Sequence, residues 1–136
     1  MITPDQKQAL VQKAILARQN AYAPYSEYKV GAALLTKSGK TFNGANVENA
    51  VYGLTICAER SAVVSAVSAG EQDFEVMAVV TRDGGSPCGS CRQVMAEFGV
   101  DMLVLIADKS GYIHHELTVE QLLPHSFNSN NLQSSS

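Results

Sequence analysis

Three cysteines stand in this chain of 136 residues, and their neighbours say more than their number. Cys57 opens Cys57-Ala58-Glu59-Arg60, while Cys88 and Cys91 fall in Pro87-Cys88-Gly89-Ser90-Cys91. A lone cysteine is usually a small buried hydrophobe. A C-x-x-C pair can hold a metal, exchange electrons or arise by chance, and a redox pair belongs early in a thioredoxin-like order. This pair comes late and follows a proline, which favours a metal. Two thiolates three residues apart on the first turn of a helix point the same way. The helix N–H groups and dipole favour their ionised form. A third thiolate at another helix start makes three ligands. Structural zinc sites close with four protein ligands, whereas catalytic sites hold three and keep a position for water. Cys57, Cys88 and Cys91, with no fourth cysteine, predict one catalytic Zn²⁺ per chain.

The histidines test the structural alternative. His114 and His115 fall on a polar strand, and His125 follows Pro124 in a loop. Any of them could close a site of three cysteines and one histidine. None has the short spacing from a cysteine that structural zinc modules show, so all three read as surface or loop residues. Glu59 is more informative. It lies among apolar residues on a helix expected to be buried, where an unpaired carboxylate is costly. Helix positions two apart face away from each other. Cys57 must therefore lie at or just before the first turn if Glu59 is to reach the same cavity. Glu59 then sits beside the metal's open position without being a ligand, as a proton-shuttling base requires.

The elements that must position these groups are legible in outline. Thr3-Pro4-Asp5-Gln6 reads as a capped helix start. Apolar residues recur at helical spacing from Leu10 to Ala21, and the helix must stop before Ala23-Pro24. A strand over 29–36 turns at Lys37-Ser38-Gly39-Lys40 into a return strand over 41–47. Residues 59–69 are small and apolar almost all round, which predicts a helix buried on most sides and stopped at Gly70. Two wholly apolar strands, 76–81 and 102–107, flank a helix over 88–98. That is the signature of a parallel crossover in a sheet covered on both faces. A polar strand over 112–116 and a capping box from Thr118 to Gln121 complete the order α-β-β-α-β-α-β-β-α. The expected fold is an α/β three-layer α-β-α sandwich around a mixed five-stranded sheet. It should form a single domain over 1–127. The polar tail, 128–136, is expected to lack stable structure unless it docks on a partner.

Composition narrows the function. Ten basic and thirteen acidic side chains give −3, with no Lys/Arg block, which argues against a duplex-binding surface. Only 17% of residues are charged, which predicts apolar surface that copies of the chain would cover. No run of about 18 apolar residues suggests a membrane span. The polar N-terminus lacks a signal-peptide core, so a reducing cytoplasm with free thiols is expected. Three thiolates also leave a site net negative. Arg60, three after Cys57, and Arg92, four after Cys88, can each fall on their cysteine's helix face and offset that charge.

The pattern C-A-E followed by P-C-x-x-C resembles the zinc-deaminase signature. The surrounding blocks are Tyr25-Ser26-Glu27-Tyr28-Lys29-Val30-Gly31-Ala32-Ala33-Leu34, Gly44-Ala45-Asn46-Val47-Glu48-Asn49-Ala50 and Cys88-Gly89-Ser90-Cys91-Arg92-Gln93. With them, residues from about Ala9 to Phe127 resemble the small homotetrameric cytidine deaminases. The resemblance implies hydrolytic deamination of cytidine and 2′-deoxycytidine, with Glu59 as proton carrier. It implies ribose binding by Asn46 and Glu48, packing of Tyr28 on the pyrimidine where the family usually has Phe, and backbone contacts from Ala58. Ala50, Tyr52 and Phe127 match positions that reach a neighbouring subunit's site. Pro124-His125-Ser126 replaces the Pro-Gly that often precedes that Phe. The nucleoside is a small-molecule partner without phosphate, which agrees with the lack of a Gly-rich phosphate loop. Two rivals remain. One is a deaminase of another base-like substrate: a blasticidin-type antibiotic, a nucleotide or a base in nucleic acid. The other is a non-enzymatic zinc module, which requires a histidine as fourth ligand.

Overall fold

A computed structural model describes residues 2–132. The first helix, α1, spans Pro4–Arg18. Thr3 accepts a hydrogen bond from the Gln6 amide at 3.2 Å and donates its own amide to Gln6 Oε1 at 2.8 Å. That is the capping box expected from the sequence. Strands β1 (Gly31–Thr36) and β2 (Thr41–Ala45) form the hairpin. Helix α2 spans Ala58–Ser68, β3 Phe74–Thr81, α3 Gly89–Glu97, β4 Leu103–Asp108, β5 Ile113–Thr118 and α4 Val119–Leu122.

One five-stranded sheet runs in the order β2-β1-β3-β4-β5. Among the described residues, only β3 and β4 pair in parallel; the remaining neighbours are antiparallel. The parallel pair needs a crossover, and α3 supplies it. Period-two alternation sorts the side chains of β3. Val76, Ala78 and Val80 join Leu10, Val11 and Ala14 of α1 on one face. Met77 and Val79 join Ala62, Val63 and Ala66 of α2 and Met95 of α3 on the other. The result is the three-layer α-β-α sandwich expected. The seating of α1 is close. A Cβ on Gly31 would come within 2.0 Å of the Ala14 carbonyl oxygen, so only glycine lets the helix backbone rest on β1.

Several boundaries differ from expectation. β2 stops at Ala45, because Val47 leaves the hairpin to bridge Tyr22 and Ile56 instead. β5 continues to Thr118, since Leu103 and Val104 of β4 extend its ladder through Leu117 and Thr118. A 3₁₀ turn over Tyr52–Leu54 has no periodic signal and is new. Helix α2 is buried on one side only; Val64, Ser65 and Ser68 lie open. In the tail, Ser129–Leu132 forms a 3₁₀ turn with side-chain caps from Asn128 and Asn131. The expectation for 133–136 lies outside the described residues. Among the described residues, no helix is long and apolar enough to cross a membrane.

Candidate active site

The N-termini of α2 and α3 meet, and each carries a cysteine as its cap. Cys57 has extended backbone (φ −72°, ψ 155°), as does Cys88 (φ −68°, ψ 166°). Cys57 therefore lies just before the first turn, the placement that Glu59 requires. Cys91 follows in the first turn of α3 and is buried. The three sulfurs lie within 4.8 Å of one another, and those of Cys88 and Cys91 are 3.4 Å apart. A tetrahedral zinc with Zn–S bonds of about 2.3 Å sets its sulfurs roughly 3.8 Å apart, so the trio fits that ion. No histidine joins the group among the described residues.

Crowding so many thiols has an electrostatic consequence. The hydrogen bond from Cys91, with help from Arg60, brings Cys57 down to about 5. Cys91, the donor in that bond and shielded from water, is pushed up. A dication held by all three as thiolates would offset two of their three negative charges and leave the group one unit negative.

Glu59, the second residue of α2, is 4% exposed. Burial raises its carboxyl to about 7, the charge on Cys57 adds to the rise, and Arg60 opposes it. Arg60 donates from Nη2 to the Thr55 carbonyl at 3.1 Å and approaches the Cys57 sulfur at 4.0 Å. Its buried Nε has no hydrogen-bond partner. The expectation for Arg92 needs correction. Its guanidinium donates to the Pro87 carbonyl at 2.9 Å, the Leu122 carbonyl at 2.6 Å and Ser86 Oγ at 2.8 Å. Oxygen acceptors from two segments, the loop at Ser86 and Pro87 and the end of α4 at Leu122, take these donors, so Arg92 clamps the loop, α3 and α4 together instead of serving the sulfurs.

A cleft of about 310 Å³ opens beside Cys57 and Cys88, with Cys91 buried behind them outside its lining. Tyr28, Asn46, Glu48, Cys57, Ala58, Glu59 and Cys88 all line it, as the sequence reading expects of one site. The amide of Asn46 also braces the wall: Oδ1 accepts from the Val30 amide and Nδ2 donates to the Tyr28 carbonyl, both at 2.9 Å. Glu48 accepts from the amides of Tyr25 and Ser26 and from the Ser26 hydroxyl. The hydroxyl above all keeps its carboxyl below the usual carboxylate range. Ala50, Tyr52 and Phe127 are not brought to this cleft; all three are exposed on the same chain. Tyr52 packs edge-on against Tyr25, and the Phe127 carbonyl accepts from Gln93. Sequence reasoning missed Ser26, Thr55, Thr81 and Gly85, which also line the cleft. Ser26, Thr55 and Gly85 lie in loops, which carry no periodic signal, and Thr81 ends an otherwise apolar strand. The Asp83-Gly84-Gly85 run was the one available hint.

The family model for the cytidine and deoxycytidylate deaminase zinc-binding region matches residues 4–107. The chain belongs to this deaminase family. A cytidine deaminase of Halalkalibacterium halodurans is 51% identical over 124 residues, covering 89% of this chain and 93% of that protein. The crystal structure of a Burkholderia pseudomallei cytidine deaminase superposes with a TM-score of 0.85 at 46% identity, covering 93% of this chain and all of that one. A blasticidin-S deaminase of Bacillus cereus is 32% identical over 109 residues, covering 73% of this chain and 76% of that protein. The deaminase family's metal is zinc, and Cys57, Cys88 and Cys91 are the residues of this deaminase placed to hold it.

Proposed function

We propose that the protein hydrolyses cytidine and 2′-deoxycytidine to uridine and 2′-deoxyuridine with release of ammonia. One observation carries the reading: the buried Glu59 lines the same cleft as Cys57 and Cys88 of the three-sulfur group, and Asn46 and Glu48 line it too. One zinc per chain is held by Cys57, Cys88 and Cys91. When bound it makes a water molecule nucleophilic near neutral pH. Glu59 takes the proton of the attacking water and delivers it to ring N3 as the new C4–O bond forms. It then takes the proton of the new C4 hydroxyl and passes it to the 4-amino nitrogen; the C4=O bond forms, the C4–N bond breaks, and ammonia leaves. Asn46 and Glu48 orient the ribose, the Tyr28 ring bounds the pyrimidine, and Ala58 offers backbone to it. Arg60 draws charge from the Cys57 sulfur.

The likeness to a blasticidin-S deaminase makes that antibiotic the rival substrate. An ultraviolet assay with cytidine, 2′-deoxycytidine and blasticidin S, each with and without a zinc chelator, decides between them. Chelator-sensitive loss of cytidine absorbance is expected. Turnover of blasticidin S alone would overturn the nucleoside assignment.

Val47, Val51, Tyr52, Leu54 and Ile56 are exposed large hydrophobics, grouped around the Val47–Ile56 bridge. A surface of that kind favours association. We assign a homotetramer in which Ala50, Tyr52 and Phe127 of one subunit complete a neighbour's cleft. Light scattering that finds an active monomer would refute it. Residues 1–127 act as the one catalytic domain. Thiols that must stay reduced suit the cytoplasm and a role in pyrimidine salvage.

A further inference from the structure

The loop between β3 and Cys88 is held from two sides. Tyr28 Oη donates to Asp83 Oδ1 at 2.8 Å, and Thr81 Oγ1 donates to the same oxygen at 3.3 Å. Thr81 Oγ1 in turn accepts from the Gly85 amide at 2.7 Å. Arg82 lies over the Tyr28 ring, 5.1 Å from its centroid. On the far side, His114 is held by Asp108 at 2.7 Å and lies beside Gly84. A Cβ on Gly84, whose φ is +81°, would meet the imidazole at 2.6 Å.

Gly85 shows the tighter fit. A Cβ there would come within 2.5 Å of Tyr28 Oη, whereas the next nearest atoms, on Asp83 and Thr81, stand at 3.6 Å. The hydroxyl alone occupies the space that a larger residue at 85 would need. Three residues further on, the loop delivers Cys88.

We propose that the Tyr28 hydroxyl is a latch, with Gly85 as its obligate counterpart, that sets the position of the loop carrying Cys88. Tyr28 thereby acts as a positioning residue for a metal ligand, in addition to bounding the cleft. Its hydroxyl proton is committed to Asp83, so it offers a ligand in the cleft no donor. Removing the hydroxyl frees the loop and opens room beside Gly85. Adding a methyl at 85 while the hydroxyl remains forces the loop or the ring to move.

The proposal rests on the deaminase reading for its activity arm only. The test is a double-mutant cycle of Tyr28→Phe, Gly85→Ala and the pair, read by the rate of zinc transfer to a chromogenic chelator and by cytidine kcat and KM. Gly85→Ala in the wild-type background should speed zinc loss by roughly tenfold or more, and in the Tyr28→Phe background by about twofold at most, a coupling typical of touching residues. Cytidine kcat/KM should follow the same pattern. If Gly85→Ala fails to fold, a Tyr28→Phe/Gly85→Ala protein that folds and keeps zinc supports the latch. Equal damage from Gly85→Ala in both backgrounds, or zinc loss from Tyr28→Phe no faster than from the wild type, overturns it. Zinc transfer needs no substrate. A wild-type protein inert toward cytidine would therefore refute the assigned reaction and still leave the latch decided.

Discussion

Gly44 of β2 lies directly beneath the Ala58 carbonyl of α2: a Cβ at Gly44 would sit 2.3 Å from that oxygen and 2.5 Å from the Ala62 amide nitrogen. The first turn of α2, which carries Glu59 and follows Cys57, is thus seated on bare backbone. Gly44→Ala must lift that turn. Overpacking of this kind costs about 1–3 kcal/mol. A lower thermal midpoint is expected together with weaker zinc retention, because Cys57 moves with the helix. Calorimetry and metal analysis on the same sample check both.

Glu59→Gln should abolish turnover and leave fold and zinc content intact. The amide keeps the shape of the buried side chain but cannot accept the water's proton. A loss of about 10²-fold or more in kcat is expected, the usual scale for a general acid–base group. Near-normal turnover with full zinc would remove Glu59 from the chemistry.

Arg60 and Arg92 should separate by phenotype. Arg60→Gln removes the donor at the Cys57 sulfur, so activity falls at full zinc occupancy; the Thr55 carbonyl loses its donor while an unpartnered buried Nε is relieved, so stability falls less than in the Arg92 variant. Arg92→Gln breaks donations to Pro87, Leu122 and Ser86, and two carbonyls lose a charged donor. Stability should drop by about 1–3 kcal/mol. Urea unfolding beside steady-state kinetics reads both variants.

Asp108 predicts an acid-side effect. The Ser110 hydroxyl first, and His114 second, hold its carboxyl at about 2 against an ordinary 3.8. A depressed carboxylate stabilises the fold above its unfolded pKa, and that contribution is lost as pH falls through the folded one. The thermal midpoint should therefore decline from about pH 4 toward pH 2 more steeply in the wild type than in Asp108→Asn. Parallel declines would exclude the contribution.

Legibility in the sequence followed the range of the rules involved. Capping boxes, helix starts and the apolar strands 76–81 and 102–107 are local, and they landed within a few residues. Cys57, Cys88, Cys91 and Glu59 were readable because a thiol at a helix N-terminus is a short-range pattern. Arg92 was not. Helical spacing fixes which face a side chain is on, but not that the Leu122 carbonyl, 30 residues away, arrives at that face. The bond from Tyr28 to Asp83 spans 55 residues and likewise depends on the finished sheet. Val64 lay open because an all-apolar helix in sequence need be covered on one side only within one chain.

The strand order gives the metal site a mechanical meaning. Cys57 caps a helix seated on the antiparallel edge, β2 and β1, whereas Cys88 and Cys91 belong to the crossover that joins β3 to β4. An ion held by all three would join these two halves, as a rivet joins two plates. It binds no local loop that could form by itself, so its full affinity exists only once both halves have docked. Every increment of that affinity then resists their separation.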